Sequence, residues 1–83
     1  MEKTWHLYIL ECKDGTLYTG ITDDVQRRFK AHSEGKGAKY TRGRGPLKLV
    51  YTEECGTHSV ALKRELEIKA LPREEKLNLI AKQ

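Results

Sequence analysis

His6-Leu7-Tyr8-Ile9-Leu10-Glu11-Cys12-Lys13-Asp14-Gly15-Thr16-Leu17-Tyr18-Thr19-Gly20-Ile21-Thr22 is the stretch whose reading decides the fold. Two β-rich runs flank Asp14-Gly15, a strong hairpin signal. Two closures are open. A two-residue loop at Asp14-Gly15 pairs Cys12 with Leu17 and puts Tyr8 and Tyr18 on opposite faces. A three-residue loop, Lys13-Asp14-Gly15, with Gly15 in the left-handed conformation, pairs Cys12 with Thr16. It sets Tyr8 opposite Gly20 and Leu10 opposite Tyr18. A one-residue slip turns a whole strand over. The second closure sorts the residues better: Leu7, Ile9, Leu17 and Ile21 become a core face, and Tyr8, Tyr18, Gly20 and Thr22 share the other. Tyrosine's strand propensity alone would account for either ring. Two rings converging beside a glycine ask for more.

The chain then runs into Asp23-Asp24-Val25-Gln26-Arg27-Arg28-Phe29-Lys30-Ala31-His32. Asp23 as N-cap with Gln26 three residues on predicts a helix from about Asp24 to Ser33. At 100° per residue Val25, Arg28, Phe29 and His32 share one face. A cation and an imidazole thus flank an apolar pair on the inward side, or snorkel from its edge. Gly35 is the expected stop. Residues 35–46 hold four of the seven glycines and one proline, a cationic loop without periodicity. It lacks P-loop spacing.

Residues 47–53 alternate Leu47, Leu49 and Tyr51 against Lys48, Val50 and Thr52, which predicts a third strand. Cys55-Gly56-Thr57 reads as a turn, with Thr57 or Ser59 capping a helix from about His58 to Leu71. On that helix Ala61, Leu62, Leu66 and Ile68 form the expected apolar stripe, and Lys63, Arg64 and Glu67 the polar face. Glu65 and Lys69 fall within the stripe. They are a well-ordered i,i+4 pair, but an exposed pair contributes only about 0.3–0.5 kcal/mol. A carboxylate on a buried side is costly unless it is paired or binds a cation, so Glu65 is a candidate metal ligand. Pro72 ends the helix, and a last helix runs from Arg73 to Ala81 with Leu77 and Ile80 inward.

The whole is one small α+β domain over residues 1–83: a three-stranded antiparallel sheet flanked by helices, in the order β-β-α-β-α-α. A chain this short buries only about 60–65% of its unfolded surface. It is 37% hydrophobic and 34% charged, with no apolar run long enough for a bilayer and no signal-peptide core. Cys12 and Cys55 lack C-x-x-C spacing and read as reduced thiols, so a cytoplasmic location is expected. His6, His32 and His58 lack metal-ligand spacing.

Net charge is +4, unevenly spread. Residues 27–48 hold eight bases against Glu34, +7; the remaining eight bases and eleven acids give −3. Such a cluster is the footprint of a polyanion. Lys36, Lys39, Tyr40, Arg42 and Arg44 are the expected nucleic-acid contacts, Tyr40 sitting within the cationic run.

A first strand carrying His6-Leu7-Tyr8, a Tyr18-Thr19-Gly20 in the second, and Arg28 eight residues after that glycine resemble the GIY-YIG nuclease superfamily. The run from Gly35 to Pro46 looks like its small stand-alone bacterial members and the related Slx1-type structure-specific nucleases. The resemblance covers nearly the whole chain. It implies metal-dependent hydrolysis of phosphodiester bonds in DNA rather than RNA, structure-specific and weak without a protein partner that supplies targeting. It also implies Mg²⁺ or Mn²⁺ on Glu65, Arg28 on the scissile phosphate, Tyr8 or Tyr18 relaying the proton of the attacking water, and His32 supporting Tyr18 or the phosphate. A late asparagine of the family has Asn78 as its candidate. The rival is a non-catalytic nucleic-acid-binding module on the same scaffold.

Overall fold

The structure is a computed structural model that describes residues 3–37, 43 and 45–82. Strand β1 spans Trp5–Glu11 and β2 Leu17–Thr22. Helix α1 spans Val25–Ser33, strand β3 Lys48–Gly56, helix α2 His58–Lys69 and helix α3 Arg73–Ala81. The sheet is antiparallel with β1 in the centre, in the order β2-β1-β3. The expected α+β fold with elements in the order β-β-α-β-α-α is the one observed.

The three-residue closure is the one formed. The Cys12 amide donates to Thr16 O at 2.9 Å, and the Gly15 amide to Cys12 O at 2.9 Å. Gly15 has φ +85°, a region that costs glycine little. Tyr8 therefore pairs with Gly20 and Leu10 with Tyr18. Asp14 stabilises the turn by accepting from the Thr16 amide and hydroxyl.

Leu7 and Ile9 are fully buried and form the core with Tyr51 and Ile68. Leu17, Ile21, Leu71, Leu79 and Ile80 pack around them. This is the core face drawn from the hairpin register, now covered by α2 and α3.

Helix α1 starts one residue later than expected. Its N-cap is Asp24, whose carboxylate accepts from the Arg27 amide at 3.1 Å. Asp23 instead pairs with Lys3 and Arg27. At the other end the Gly35 amide donates to His32 O and the Lys36 amide to Ala31 O, with Gly35 at φ +77°. That pair of bonds is a Schellman stop.

Strand β3 departs from simple alternation. Ile9 pairs with Tyr51 but Leu10 with Leu49, so Val50 is an extra residue in a bulge. Tyr51 joins the core face, while Leu49 falls on the face of Leu10. A second shift leaves Cys55 unpaired between Glu54 and Gly56. The strand thus runs on to Gly56, through the residues expected to turn, and Cys55 packs against the core.

Helix α2 is capped by Thr57, whose hydroxyl accepts from the Val60 amide at 3.2 Å. Its orientation corrects the expected stripe. Ala61 and Ile68 are buried and Arg64 and Glu65 half-buried, while Leu62 and Leu66 are exposed. Spacing of three and four residues puts Ala61, Arg64, Glu65 and Ile68 on one side. The small Ala61 lets the helix come close to the sheet there. On α3, Leu79 and Ile80 pack inward, whereas Leu77 is exposed rather than buried as expected. Among the described residues no helix is long and apolar enough to cross a membrane.

Candidate active site

The tyrosine face of the hairpin meets the inward face of α1. Tyr8, 2% exposed, carries its phenol over Gly20 on the edge strand β2. A Cβ on Gly20 would lie 2.5 Å from Tyr8 Oη, so the glycine makes the space the phenol fills. His32 is 1% exposed, and its Nε2 lies 2.8 Å from Tyr8 Oη. Tyr18 completes a ring cluster: its centroid is 5.3 Å from that of His32 and 6.4 Å from that of Tyr8. His32 was expected beside Tyr18 or the phosphate; its 2.8 Å contact is with Tyr8 instead, and with Tyr18 it makes an edge-on ring contact.

The charges around this cluster are legible in the titration of its members. Burial pushes the Tyr8 phenol above its usual pKa of 10.0. A hydrogen bond from Arg28 opposes this, while the nearby Tyr18 phenol and Glu65 carboxylate add to it. His32 is held below the usual 6.5, first by burial and then by the Arg28 charge. An imidazole without charge at neutral pH is the result. Tyr8, Tyr18, Arg28, His32 and Glu65 thus come from β1, β2, α1 and α2 to one place.

Glu65 fits a hard cation. Its side chain is 19% exposed, and Lys69 Nζ stands 3.3 Å from its Oε2. Among the described residues no group of three or more His, Cys, Asp or Glu could hold a metal. A single carboxylate suits Mg²⁺, which keeps several waters and leans on substrate phosphate oxygens.

The remaining expected residues fall elsewhere. Lys36 is exposed just past α1. Lys39, Tyr40, Arg42 and Arg44 lie outside the described residues. Asn78 is exposed and lines a cleft with Arg64, Glu75 and Lys82, away from the ring cluster. Sequence reasoning missed Gly37. A Cβ there would collide with His32 Nδ1, so the backbone lies against the ring on the side away from Tyr8. It also missed the ion pair in which Arg64 Nε donates to Glu53 Oε2 at 2.6 Å. The Tyr51 hydroxyl donates to the same carboxylate at 2.6 Å. Burial alone would raise the Glu53 carboxyl, but these bonds and the Arg64 charge outweigh it and hold it below its usual range.

A hairpin with paired tyrosines, an arginine helix and a glutamate helix around one sheet edge define a catalytic domain of the GIY-YIG type. Residues 4–78 match the model of the GIY-YIG catalytic domain, and the chain belongs to that family. It is 53% identical to the UPF0213 protein SSP2268 of Staphylococcus saprophyticus, over 92% of this chain and 93% of the relative. To the UPF0213 protein VNG_2274C of Halobacterium salinarum it is 55% identical, over 86% of this chain and 92% of the relative. The solution structure of the UPF0213 protein BH0048 from Bacillus halodurans superposes with a TM-score of 0.63 at 51% identity, covering 96% of this chain and 85% of that one. That of EF2693 from E. faecalis gives a TM-score of 0.66 at 37% identity, covering 98% and 86%. Membership suggests a nuclease, hence a nucleic-acid substrate and the divalent metal that such enzymes generally use.

Proposed function

We propose that this chain is a divalent-metal-dependent DNA endonuclease. The observation that carries the reading is the 2.8 Å contact between Tyr8 Oη and His32 Nε2, set beside Arg28 and within the field of Glu65. The elevated phenol is a poor base alone, but an uncharged imidazole behind it can take its proton. Tyr8 Oη then accepts a proton from the attacking water as it passes its own to Nε2. The water oxygen bonds to phosphorus, and the bond to the leaving oxygen breaks. Positioning and charge neutralisation do most of such a reaction. Arg28 offers a planar fork for the phosphate oxygens. Tyr18, edge-on to His32, holds the ring in place. Mg²⁺ or Mn²⁺ on Glu65 would supply charge stabilisation for the leaving oxygen. Lys36, Lys39, Tyr40, Arg42 and Arg44 are the cationic and aromatic groups assigned to the nucleic-acid backbone, on the charge of this run.

Glu65→Gln tests the assignment on labelled duplex and branched DNA with Mg²⁺ or Mn²⁺. Cleavage is expected to vanish while salt-dependent binding stays. Metal-dependent cleavage that persists in the variant would remove Glu65 from the site.

A further inference from the structure

Arg73 and Lys76 are two cations that the site leaves unused. They stand one turn apart on α3, and with Thr16, just before β2, and Leu17, its first residue, they line a cleft of about 210 Å³. The guanidinium reaches toward the hairpin turn, 3.9 Å from where a Cβ on Gly15 would be. Neither cation makes an ion pair among the described residues, although α3 carries Glu74 and Glu75. Asp14 on the turn accepts from the Thr16 amide and hydroxyl. The cleft is therefore walled by two cations, one small polar residue and one apolar residue, with no acid in its lining. Two helical cations aimed into one recess suit an oxyanion carried on an extended partner.

The place of the cleft gives the partner. Strand β2 is the sheet edge among the described residues. Tyr18 and Gly20, at the ring cluster, and Thr16, at the cleft, lie along that one edge. From Gly20 to Thr16 is about 13–14 Å at the usual strand rise of about 3.4 Å per residue. Adjacent phosphates of one DNA strand stand about 7 Å apart through space, because the backbone winds as it advances, so the separation is roughly two nucleotides. We propose that the Arg73–Lys76 cleft is a second backbone-phosphate subsite, holding the cleaved strand about two nucleotides from the scissile bond. This rests on the nuclease reading of the ring cluster. The hairpin would then work as a ruler: its edge strand sets the spacing between the phosphate that reacts and the phosphate that anchors.

The test is binding of a fluorescent DNA duplex by the full chain without divalent metal, followed by anisotropy over a KCl series. Each neutralised phosphate contributes about 0.9 to the magnitude of the log–log salt slope. Arg73→Gln/Lys76→Gln is expected to lower that magnitude by about 0.9, the share of the one phosphate the cleft holds, relative to wild type. Lys63→Gln/Lys82→Gln, which removes the same charge outside the cleft, is expected to leave it near wild type. Arg73→Lys/Lys76→Arg is expected to restore it. Glutamine keeps most of the aliphatic stem of the half-buried Lys76, and thermal melting by circular dichroism establishes that each variant is folded. A slope unchanged in the cleft variant, or lowered equally by the control, overturns the subsite while the nuclease reading stands. Wild type without salt-dependent binding overturns the nuclease reading, and the subsite with it.

Discussion

A Cβ on Gly20 would stand 2.5 Å from Tyr8 Oη and 2.7 Å from Cζ, inside van der Waals contact with a ring that is itself buried. Gly20→Ala must displace the phenol from His32, and overpacking of this kind costs about 1–3 kcal/mol. Chemical denaturation should show that loss, and cleavage by the folded variant should fall further than stability does. Full activity would mean that the Tyr8–His32 contact is idle. His32 gives a second prediction. Its folded pKa lies below 6.5, so between that value and 6.5 the unfolded chain binds a proton that the native chain refuses. Stability is complete above pH 6.5 and declines as pH falls below it. His32→Gln should flatten this part of the profile, measured by denaturant titration across pH. At this scale the sequence was informative where a turn pinned the period. Lys13-Asp14-Gly15 placed Tyr8, Tyr18 and Gly20 on one face, and helical spacing added Arg28 and His32. Gly37 was hidden because its contact with His32 depends on how the chain leaves α1, which no periodicity records.

Among the elements, β3 and α2 show what pattern alone does not decide. Residues 47–53 alternate cleanly, yet the bulge at Val50 separates Leu49 from Tyr51 across the sheet. Alternation fixes faces only while pairing is regular. On α2 the apolar residues span more than half the circumference, so several rotations bury some of them. The observed rotation seats Ala61 and Ile68 and leaves Leu66 71% exposed. It also brings Arg64 to Glu53, on a strand eleven residues back. That pair ties α2 to β3 through Arg64 Nε and Nη2, donating at 2.6 and 3.1 Å. Arg64→Ala leaves a half-buried carboxylate without its cation and is expected to cost about 1–3 kcal/mol. Glu53 should titrate higher in the variant. Since its native pKa is depressed, the stability it confers is present above the usual carboxylate range and lost as pH falls through the folded pKa. Loss of Arg64 should therefore shrink the acid limb of the stability curve, while the Tyr8–His32 pair stays as it was. A melting temperature unchanged at neutral pH would show that the pair contributes no net stability.

At the scale of the molecule, one sheet edge gathers the chemistry. The hairpin supplies two phenols and a gap, α1 an arginine and an imidazole, α2 a carboxylate, and α3 two cations further along the same edge. The fold class was legible because the Asp-Gly turn, the helix caps and Pro72 punctuate the chain at element boundaries. The bringing of Glu65 to the tyrosines was foreshadowed only by a charge placed inside an apolar stripe, and that stripe proved to be rotated. What made Glu65 visible was the cost of burying a carboxylate, which holds whichever apolar neighbours surround it. Whether Tyr8, Tyr18, Arg28, His32 and Glu65 together hydrolyse a phosphodiester is decided by cleavage of labelled single-stranded, duplex and branched DNA with Mg²⁺ or Mn²⁺, wild type beside Arg28→Ala. Metal-dependent cutting by wild type on at least one substrate is expected, reduced by about 10²-fold or more in the variant, the scale of losing one preorganised charge donor. Salt-sensitive binding with no cutting of any substrate by wild type, or equal cutting by Arg28→Ala, would contradict that role for the five side chains.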